Sequence, residues 1–346
     1  MQQSDRSTDV LAFDVGGANI KAADGRGWIH SEPFELWRRP RELPAALGRI
    51  VADRSPRRIV STMTGEIADC YASRRAGVEA IVGAIVAAAG SLPAAADVGI
   101  YLVDGTIVPA AEALARPLAA AASNWHAMAR LAAAHAATDR AMVVDVGSTT
   151  TDIVALRAGH PAPLAYDDVA RMATGELVYT GVERTPVAAI VRSLPWAGRR
   201  RPIASERYAE SRDIWLVLEG IPERPGACET ADGGPATREA ARVRLARMLL
   251  LDPNDFSAAD ALAAASWCAE AQSRQVARAL AKVAARVGWQ PARIVLSGHG
   301  ECLARMAIAR TGWNVDLVSL PERLGPDVSR AACAHAVALI AQGRLP

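Results

Sequence analysis

Two short stretches of the chain share one pattern of apolar and polar residues. In each, an apolar run ends in Asp-Val-Gly, small polar residues follow, and a second apolar run comes next; the stretches begin at residues 11 and 143. Two apolar runs joined by a tight polar turn predict a β-hairpin. Glycine in such a turn lets a bulky anion approach backbone N–H groups. The sequence therefore predicts two phosphate-binding hairpins, at residues 14–21 and 145–152.

The order of the other predicted elements also repeats after each hairpin. Strands and helices alternate in both halves, which predicts a duplicated, mixed α/β fold. We expect two lobes, residues 1–140 and 141–346, with a central cleft between the hairpins. A strand, a Gly-x-Gly turn and a helix start predict a third phosphate-binding turn at 297–301, with a plain strand–helix turn as the alternative. Residues 214–218 are predicted as a short strand, and 327–342 as an amphipathic helix that packs back on the first lobe.

Candidates for metal and phosphate binding stand in and around these turns. Asp14 and Asp145, at the strand ends, are the candidate Mg²⁺ ligands, and both are expected to be reachable from solvent. Lys21 is a candidate point charge for a phosphate, with a solvent-facing strand lysine as the alternative. The candidate cofactor-binding residues are the turn residues Gly16, Gly17, Asn19, Gly147, Ser148, Thr149, Thr150, Gly298 and Gly300.

Two other segments contain the candidates for catalysis and substrate binding. Glu66 and Asp69 come after a predicted buried strand, where a carboxylate can accept a proton from a substrate hydroxyl; capping of the next helix is the alternative. In the stretch that begins at Thr174, polar side chains alternate with apolar ones, as in a cleft wall. The candidate substrate-binding residues there are Glu176, Tyr179 and Arg184, with an internal ion pair as the alternative for the arginine.

Composition and charge narrow the functional classes. The chain has 346 residues, 51% of them hydrophobic and 22% charged, with a net charge of +2. These values are typical of a globular protein of two domains and give no reason to expect a nucleic-acid partner. The N-terminal residues are polar and lack the apolar stretch of a signal peptide. The tract at 80–96 is interrupted by glycine and proline, so we expect no membrane span and a cytoplasmic protein.

Five motifs in order resemble one protein family. They begin at Phe13, Ser61, Asp145, Thr174 and Arg244, and read FDVGGANIKAA, STMTGEIADC, DVGSTTTDI, TGELVYTGVERTPV and RLARM. Together they are similar to the hydantoinase/oxoprolinase-like proteins linked to the tetrahydromethanopterin one-carbon pathway. The doubled hairpins also resemble the actin, sugar-kinase and heat-shock ATPase superfamily. The resemblance implies a two-lobed, actin-like (ribonuclease H-like) fold with the cleft between the lobes.

The resemblance also implies a reaction. Characterised archaeal members are methanofuran-biosynthesis synthases, which join an aminomethylfuranylmethyl diphosphate to γ-glutamyltyramine and release diphosphate. It therefore implies a transferase of methanofuran or methylofuran assembly that uses Mg²⁺ and a tyramine- or tyrosine-type phenol. Lys21, Glu66 and Asp69 are then the catalytic candidates, with Glu66 as the base and Asp69 in reserve.

Three other functions stay open at this stage. One is an ATP-dependent small-molecule kinase, which places the same hairpins on the phosphates of ATP. The second is an ATP-binding scaffold without chemistry of its own, and the third is a hydantoinase-type amidohydrolase subunit. All four interpretations expect small-molecule ligands. The oligomeric state, a homo-oligomer included, is open.

Overall fold

The computed structural model describes residues 8–345, in which the strands form two large sheets and one small one. The first sheet contains β1 (Val10–Val15), β2 (Asn19–Ala23), β3 (Ile29–Pro33), β4 (Arg58–Met63), β5 (Asp97–Tyr101) and β6 (Ile107–Pro109). The second contains β7 (Arg140–Val146), β8 (Thr151–Arg157), β9 (His160–Pro161), β10 (Leu177–Val178), β13 (Arg293–Ser297) and β14 (Asp316–Ser319). The small sheet pairs β11 (Ser193–Trp196) with β12 (Arg199–Pro202).

Helices connect and cover the sheets. They are α1 (Leu43–Arg54), α2 (Arg74–Gly90), α3 (Ala110–Ala115), α4 (Pro117–Ala120), α5 (Asn124–Ala136), α6 (Asp168–Thr174), α7 (Val187–Ile190), α8 (Ser211–Val217), α9 (Arg238–Met248), α10 (Ala258–Val287), α11 (Glu301–Ala309), α12 (Leu320–Leu324), α13 (Pro326–Arg330) and α14 (Ala332–Ala341), with 3-10 turns at Pro40–Glu42 and Pro253–Asp255. Among residues 8–345, no helix has the length and apolar character needed to cross a bilayer.

Five strands of the two large sheets have the same order, and the first sheet has β6 as an additional edge strand. The first runs β3-β2-β1-β4-β5-β6 and the second β10-β8-β7-β13-β14, with β9 beside β8. In both, the central strand pairs with an antiparallel hairpin partner on one side and a parallel strand on the other. This repetition confirms the predicted duplicated α/β fold of the actin-like type. The domain boundary at residue 140 stays a prediction.

Two helices link the sheets. Helix α14 packs on β1, β2 and β4, and it also packs on α5, which in turn contacts β7, β8 and β13. A single buried apolar cluster accordingly contains residues of both sheets and of both helices, among them Val10, Val60, Val143 and Val337. The first parts of β1 and β7 thus share one core, whereas the residues at the turns, Val15 and Val146, pack in two separate clusters.

Two predicted elements differ from the structure. Residues 214–218, predicted as a strand, lie in helix α8 or at its end, because Glu210 and Asp213 form a reciprocal capping box that starts the helix. The predicted helix at 327–342 is divided into α13 and α14. The Ala331 N–H bonds back to the carbonyl groups of Asp327 and Val328, which closes the first helix before the second begins.

Candidate functional site

The two hairpin turns have equivalent backbone geometry. Gly16 N–H donates to the Asn19 carbonyl at 3.0 Å, and Gly147 N–H donates to the Thr150 carbonyl at 3.0 Å. Each turn directly follows the central strand of its sheet. The duplication predicted from sequence therefore extends to the hydrogen bond that closes each turn.

The strand register reveals one difference between the hairpins. Asp14 lies opposite Lys21 in the first hairpin, and Asp145 lies opposite Asp152 in the second. Lys21 thus occupies the position that Asp152 occupies in the other copy. Asp152 pairs with the buried Arg171 at 2.9 Å, so its charge is neutralised locally. The first hairpin therefore has a cationic side chain, Lys21, next to its turn, and the second hairpin does not have one at the equivalent position.

Residues of both hairpins line one cavity of about 170 Å³. Of the residues predicted for phosphate binding, Asn19, Lys21 and Ser148 are in its wall, and His299 joins them from the glycine turn. The other lining residues are Ser31, Pro33, Glu183, Arg212, Leu216, Ile221, Pro222, Arg224, Ala236 and Arg330. The hairpins therefore share a cleft that is rich in cationic side chains.

The remaining hairpin residues predicted to bind a cofactor do not line this cavity. They are half-buried in the turns, and they are Gly16, Gly17, Gly147, Thr149 and Thr150. The Gly17 carbonyl accepts from Leu36 N–H at 2.9 Å, and the Ser148 carbonyl accepts from the N–H groups of Glu183 and Arg184. These bonds hold the turns in place, and direct ligand contacts by the five residues stay predictions.

The two candidate metal ligands lie close to Lys21. Asp14 is 6% exposed, so the expectation that solvent reaches it freely is wrong, whereas Asp145 is half-buried. Burial raises the pKa of Asp14, and Lys21 opposes that rise. Burial and the neighbouring Asp152 raise the pKa of Asp145 to about 6, and Ser297 and Lys21 work in the opposite direction. Lys21 therefore acts on both carboxyl groups.

The Asp14 carboxyl fits a ligand of a divalent cation, and a metal role for Asp145 stays a prediction. The Oδ1 atom of Asp14 is buried without a hydrogen-bond partner, which is the condition that a bound cation relieves. Mg²⁺ characteristically binds one or two carboxylates together with phosphate oxygens and water. Within residues 8–345, no group of three or more His, Cys, Asp or Glu side chains could hold a metal ion. A magnesium ion here would thus depend on the two aspartates and on its phosphate ligand.

A charged cluster in the cleft is not predicted from the sequence. Glu183 pairs with Arg212 at 2.8 Å, with Arg224 at 3.3 Å and with His299 at 3.4 Å. Burial alone would raise the pKa of Glu183, but His299 and the two arginines outweigh it and lower the pKa to about 2. Glu183 is therefore ionised at neutral pH and orients the two arginines, which donate to it from the cavity lining.

The glycines of the third turn are required by close packing. Gly298 has a φ of +79°, and a Cβ added there would lie 2.2 Å from the Val146 carbonyl oxygen and 2.8 Å from Asp145 Oδ1. A Cβ at Gly300 would lie 2.4 Å from Val146 Cγ1. The turn is therefore pressed against the end of β7 and beside the Asp145 carboxyl. Phosphate binding by the two glycines stays a prediction.

The two candidate bases have different environments. Glu66 is 1% exposed, lies 3.8 Å from Arg74, and has an Oε2 atom without a hydrogen-bond partner. Burial raises its pKa to about 7, against the effect of Arg74 and with a smaller contribution from Asp168. Asp69 is exposed. Glu66 does not line the cavity, although the preceding Gly65 packs directly on the Gly16 turn.

The three candidate substrate-binding residues do not converge in the cavity. Glu176 is fully buried and accepts from the N–H groups of Leu164 and Ala165, so it holds a loop in place. Tyr179 is 61% exposed. The Arg184 guanidinium lies over the Trp37 ring at 5.2 Å and joins the two halves of the chain. Roles in substrate binding for these residues stay predictions.

Sequence comparisons reveal two kinds of similarity. The profile of the hydantoinase/oxoprolinase family matches residues 57–342. A protein of Methanocaldococcus jannaschii is 30% identical over 339 residues, covering 97% of this chain and 98% of its own length. A protein of Methanococcus vannielii is 31% identical over 206 residues, covering 59% of this chain and 91% of its own. Both relatives are named (4-{4-[2-(gamma-L-glutamylamino)ethyl]phenoxymethyl}furan-2-yl)methanamine synthase.

Solved structures with similar architecture are distant in sequence. A ROK family glucokinase from Streptomyces griseus, in complex with glucose and AMPPNP, is 12% identical with a TM-score of 0.44 and covers 96% of this chain and 99% of its own. Component A of the Acidaminococcus fermentans (R)-2-hydroxyglutaryl-CoA dehydratase is 12% identical with a TM-score of 0.45 and covers 96% of each chain.

Proposed function

The chain belongs to the hydantoinase/oxoprolinase family, and from that premise we propose that it is a transferase of methanofuran or methylofuran assembly. In this proposal it joins an aminomethylfuranylmethyl diphosphate to a tyramine- or tyrosine-type phenol. The name of the Methanocaldococcus jannaschii relative describes a phenoxymethyl group on a furan that carries a methanamine, which is an aryl ether of this kind. The similarity extends over 97% of the chain.

The observation that carries the proposal is the cationic cleft between the two hairpins. Lys21 and Asn19 come from one hairpin, Ser148 from the other, and His299 from the turn before helix α11. A helix N-terminus and a lysine beside backbone turns provide the positive field and the donors that a diphosphate group needs. Because the donors are fixed by strands and tight turns, they are oriented before the substrate arrives.

The proposed reaction is a displacement at the furanylmethyl carbon. The bond between that carbon and the diphosphate oxygen breaks, and its electron pair leaves with the diphosphate. The phenol oxygen forms the new carbon–oxygen bond, and its proton passes to a carboxylate base. Lys21 stabilises the charge that grows on the departing oxygen. Asp14 and Asp145 would hold Mg²⁺, which when bound would neutralise charge on the diphosphate.

The test is turnover with defined substrates. The purified full-length chain should form the ether and release diphosphate from a synthetic aminomethylfuranylmethyl diphosphate and a phenol, in the presence of Mg²⁺ and without ATP. Mass spectrometry of the ether and a coupled diphosphate assay measure the two products. Phosphorylation of a small molecule by ATP, with no ether formed, would support the kinase alternative and contradict the proposal.

Replacing either metal-site carboxylate should reduce turnover strongly. We expect Asp14→Asn and Asp145→Asn each to lower kcat about 100-fold or more, because the charge stabilisation expected from a metal is several kcal/mol. Thermal stability should change little, since burial already disfavours the charged form of both side chains. Asp97→Asn, at an exposed strand end, is the control. Full activity of either variant, or of the wild type in excess chelator, would contradict the metal role.

The pH profile tests Glu66 as the base. The group must be ionised to accept the phenol proton, and its pKa is raised to about 7. We therefore expect kcat/KM to fall as the pH decreases through about 7, by roughly tenfold per pH unit at the acid end. Glu66→Gln should lower kcat/KM and remove this limb, whereas Asp69→Asn should retain it. An unchanged pH profile of kcat/KM in Glu66→Gln would show that another group accepts the phenol proton.

A further inference from the structure

We propose that Arg212 and Arg224 form a second anion site in the cleft, and that this site binds a carboxylate of the acceptor. The inference rests on the proposed function and specifies its acceptor, since a tyrosine-type phenol carries a carboxylate and plain tyramine does not. The diphosphate then lies at Lys21, and the acceptor carboxylate lies at Arg212 and Arg224, which line the same cavity.

The first support is the state of the Arg212 side chain. It is 4% exposed and lines the cavity, and its Nη2 donates to Glu183 at 2.8 Å. Its Nε and Nη1 atoms are buried without a hydrogen-bond partner. Glu229 lies 3.9 Å from Nη1, which is beyond hydrogen-bonding distance. A buried, charged donor without a hydrogen-bond partner destabilises the folded protein. An oxygen atom of a ligand in the cavity would accept hydrogen bonds from this guanidinium.

The second support is the charge and shape of the surroundings. Arg212, Arg224 and Arg330 line the cavity with Glu183, whereas Glu229, the second carboxylate near Arg212, is 42% exposed and is not among the lining residues. The lining therefore attracts an anion even when His299 is neutral. Glu183 holds both guanidinium groups in place, and guanidinium geometry suits a planar carboxylate. The cavity lining also contains Leu216 and Ile221, which suit the hydrocarbon part of an acceptor better than a second phosphate group.

Direct binding to the full-length protein tests the site without requiring turnover. Isothermal titration would compare L-tyrosine with L-tyrosinamide, and γ-glutamyltyramine with tyramine, because only the first member of each pair carries a carboxylate. We expect the carboxylate to tighten binding about tenfold or more in at least one pair. Arg224→Gln, whose side chain is 40% exposed, should fold normally and remove most of that difference. Arg212→Lys, which retains the charge, should remove part of it.

Inorganic diphosphate distinguishes the two anion sites. Its Kd should rise about tenfold or more in Lys21→Ala and change less than about threefold in Arg224→Gln. The control is Arg305→Gln, an exposed residue of helix α11 outside the cavity wall. Equal loss of diphosphate binding in Lys21→Ala and Arg224→Gln would overturn the inference, as would equal affinity within both acceptor pairs.

The outcomes for the acceptor site and for the reaction are separable. Discrimination by the carboxylate without ether formation would support the acceptor site and refute the proposed reaction. Ether formation at the same rate with and without the carboxylate, together with equal affinities, would support the reaction and refute the acceptor site.

Discussion

Replacing Lys21 with alanine is expected to lower kcat by about 30- to 1000-fold and to change KM far less. Lys21 lies in the cavity wall opposite Asp14 in the strand register and acts electrostatically on Asp145. Negative charge on the departing diphosphate increases as the carbon–oxygen bond breaks. A fixed ammonium group therefore stabilises the transition state more than the bound substrate. Steady-state kinetics with the furanylmethyl diphosphate as the varied substrate would measure the effect.

Two further variants make the Lys21 experiment specific. Lys21→Arg should recover only part of the lost rate, because a planar guanidinium needs more room beside a tight turn than a compact ammonium does. Lys282→Ala is a matched control, since Lys282 is the only other lysine in the sequence and is exposed on helix α10. An unchanged kcat in Lys21→Ala would make Lys21 an ordinary strand residue. A large increase in KM at constant kcat would instead assign it to substrate binding.

The elements that sequence predicts well are those specified by local pattern. Both hairpins are visible because an apolar run, Asp-Val-Gly and a second apolar run are contiguous, and the structure repeats the same turn hydrogen bond at Gly16 and Gly147. The fold follows from the repeated order of elements. The placement of Lys21 and Ser148 in the lining of one cavity also follows, because equivalent turns of a duplicated fold face the same cleft.

The parts that sequence does not predict depend on contacts between distant segments. Glu183 stands in a quoted motif, but nothing local indicates that its partners are Arg212, 29 residues away, and Arg224, 41 residues away. Helix α8, which carries Arg212, was predicted as a strand because its apolar residues Ile214 to Leu218 resemble one. The reciprocal capping box of Glu210 and Asp213, which starts the helix, is not part of the prediction from sequence. Arg330 reaches the cavity from helix α13 without any local signal.

The largest expected effect on stability comes from Arg244. Its side chain is fully buried, contacts Asp213 at 2.7 Å, pairs with Asp232 at 3.1 Å, and donates to the Pro235 carbonyl at 3.3 Å. Removing one partner of a buried ion pair leaves the other charge uncompensated. We therefore expect Arg244→Met to lower the free energy of unfolding by about 3–5 kcal/mol. Urea denaturation followed by circular dichroism would measure the loss.

The same helix provides a matched control for this stability change. Arg247 pairs with the same Asp232 at 2.8 Å, but its side chain is 46% exposed. Arg247→Met should therefore cost no more than about 1 kcal/mol, since solvent screens such a pair. Combining Asp213→Asn with Arg244→Met should cost less than the sum of the single changes, because the two side chains are directly coupled. Equal losses for Arg244→Met and Arg247→Met would contradict the importance of burial.

The Arg244 contacts also connect stability to the cleft. Asp232 and Pro235 belong to the long segment between α8 and α9, and that segment contributes Ile221, Arg224 and Ala236 to the cavity wall. Loss of Arg244 removes the buried contacts of Asp232 and Pro235, and Asp232 keeps its more exposed pair with Arg247. In conditions where Arg244→Met is still folded, we expect KM for the acceptor to rise more than KM for the furanylmethyl diphosphate. The first hairpin, which carries Lys21, packs through Val15 and Ile20 in one buried cluster, whereas helix α9 packs in another. Parallel increases in both KM values would show that the segment shapes the whole cleft and not only its acceptor side.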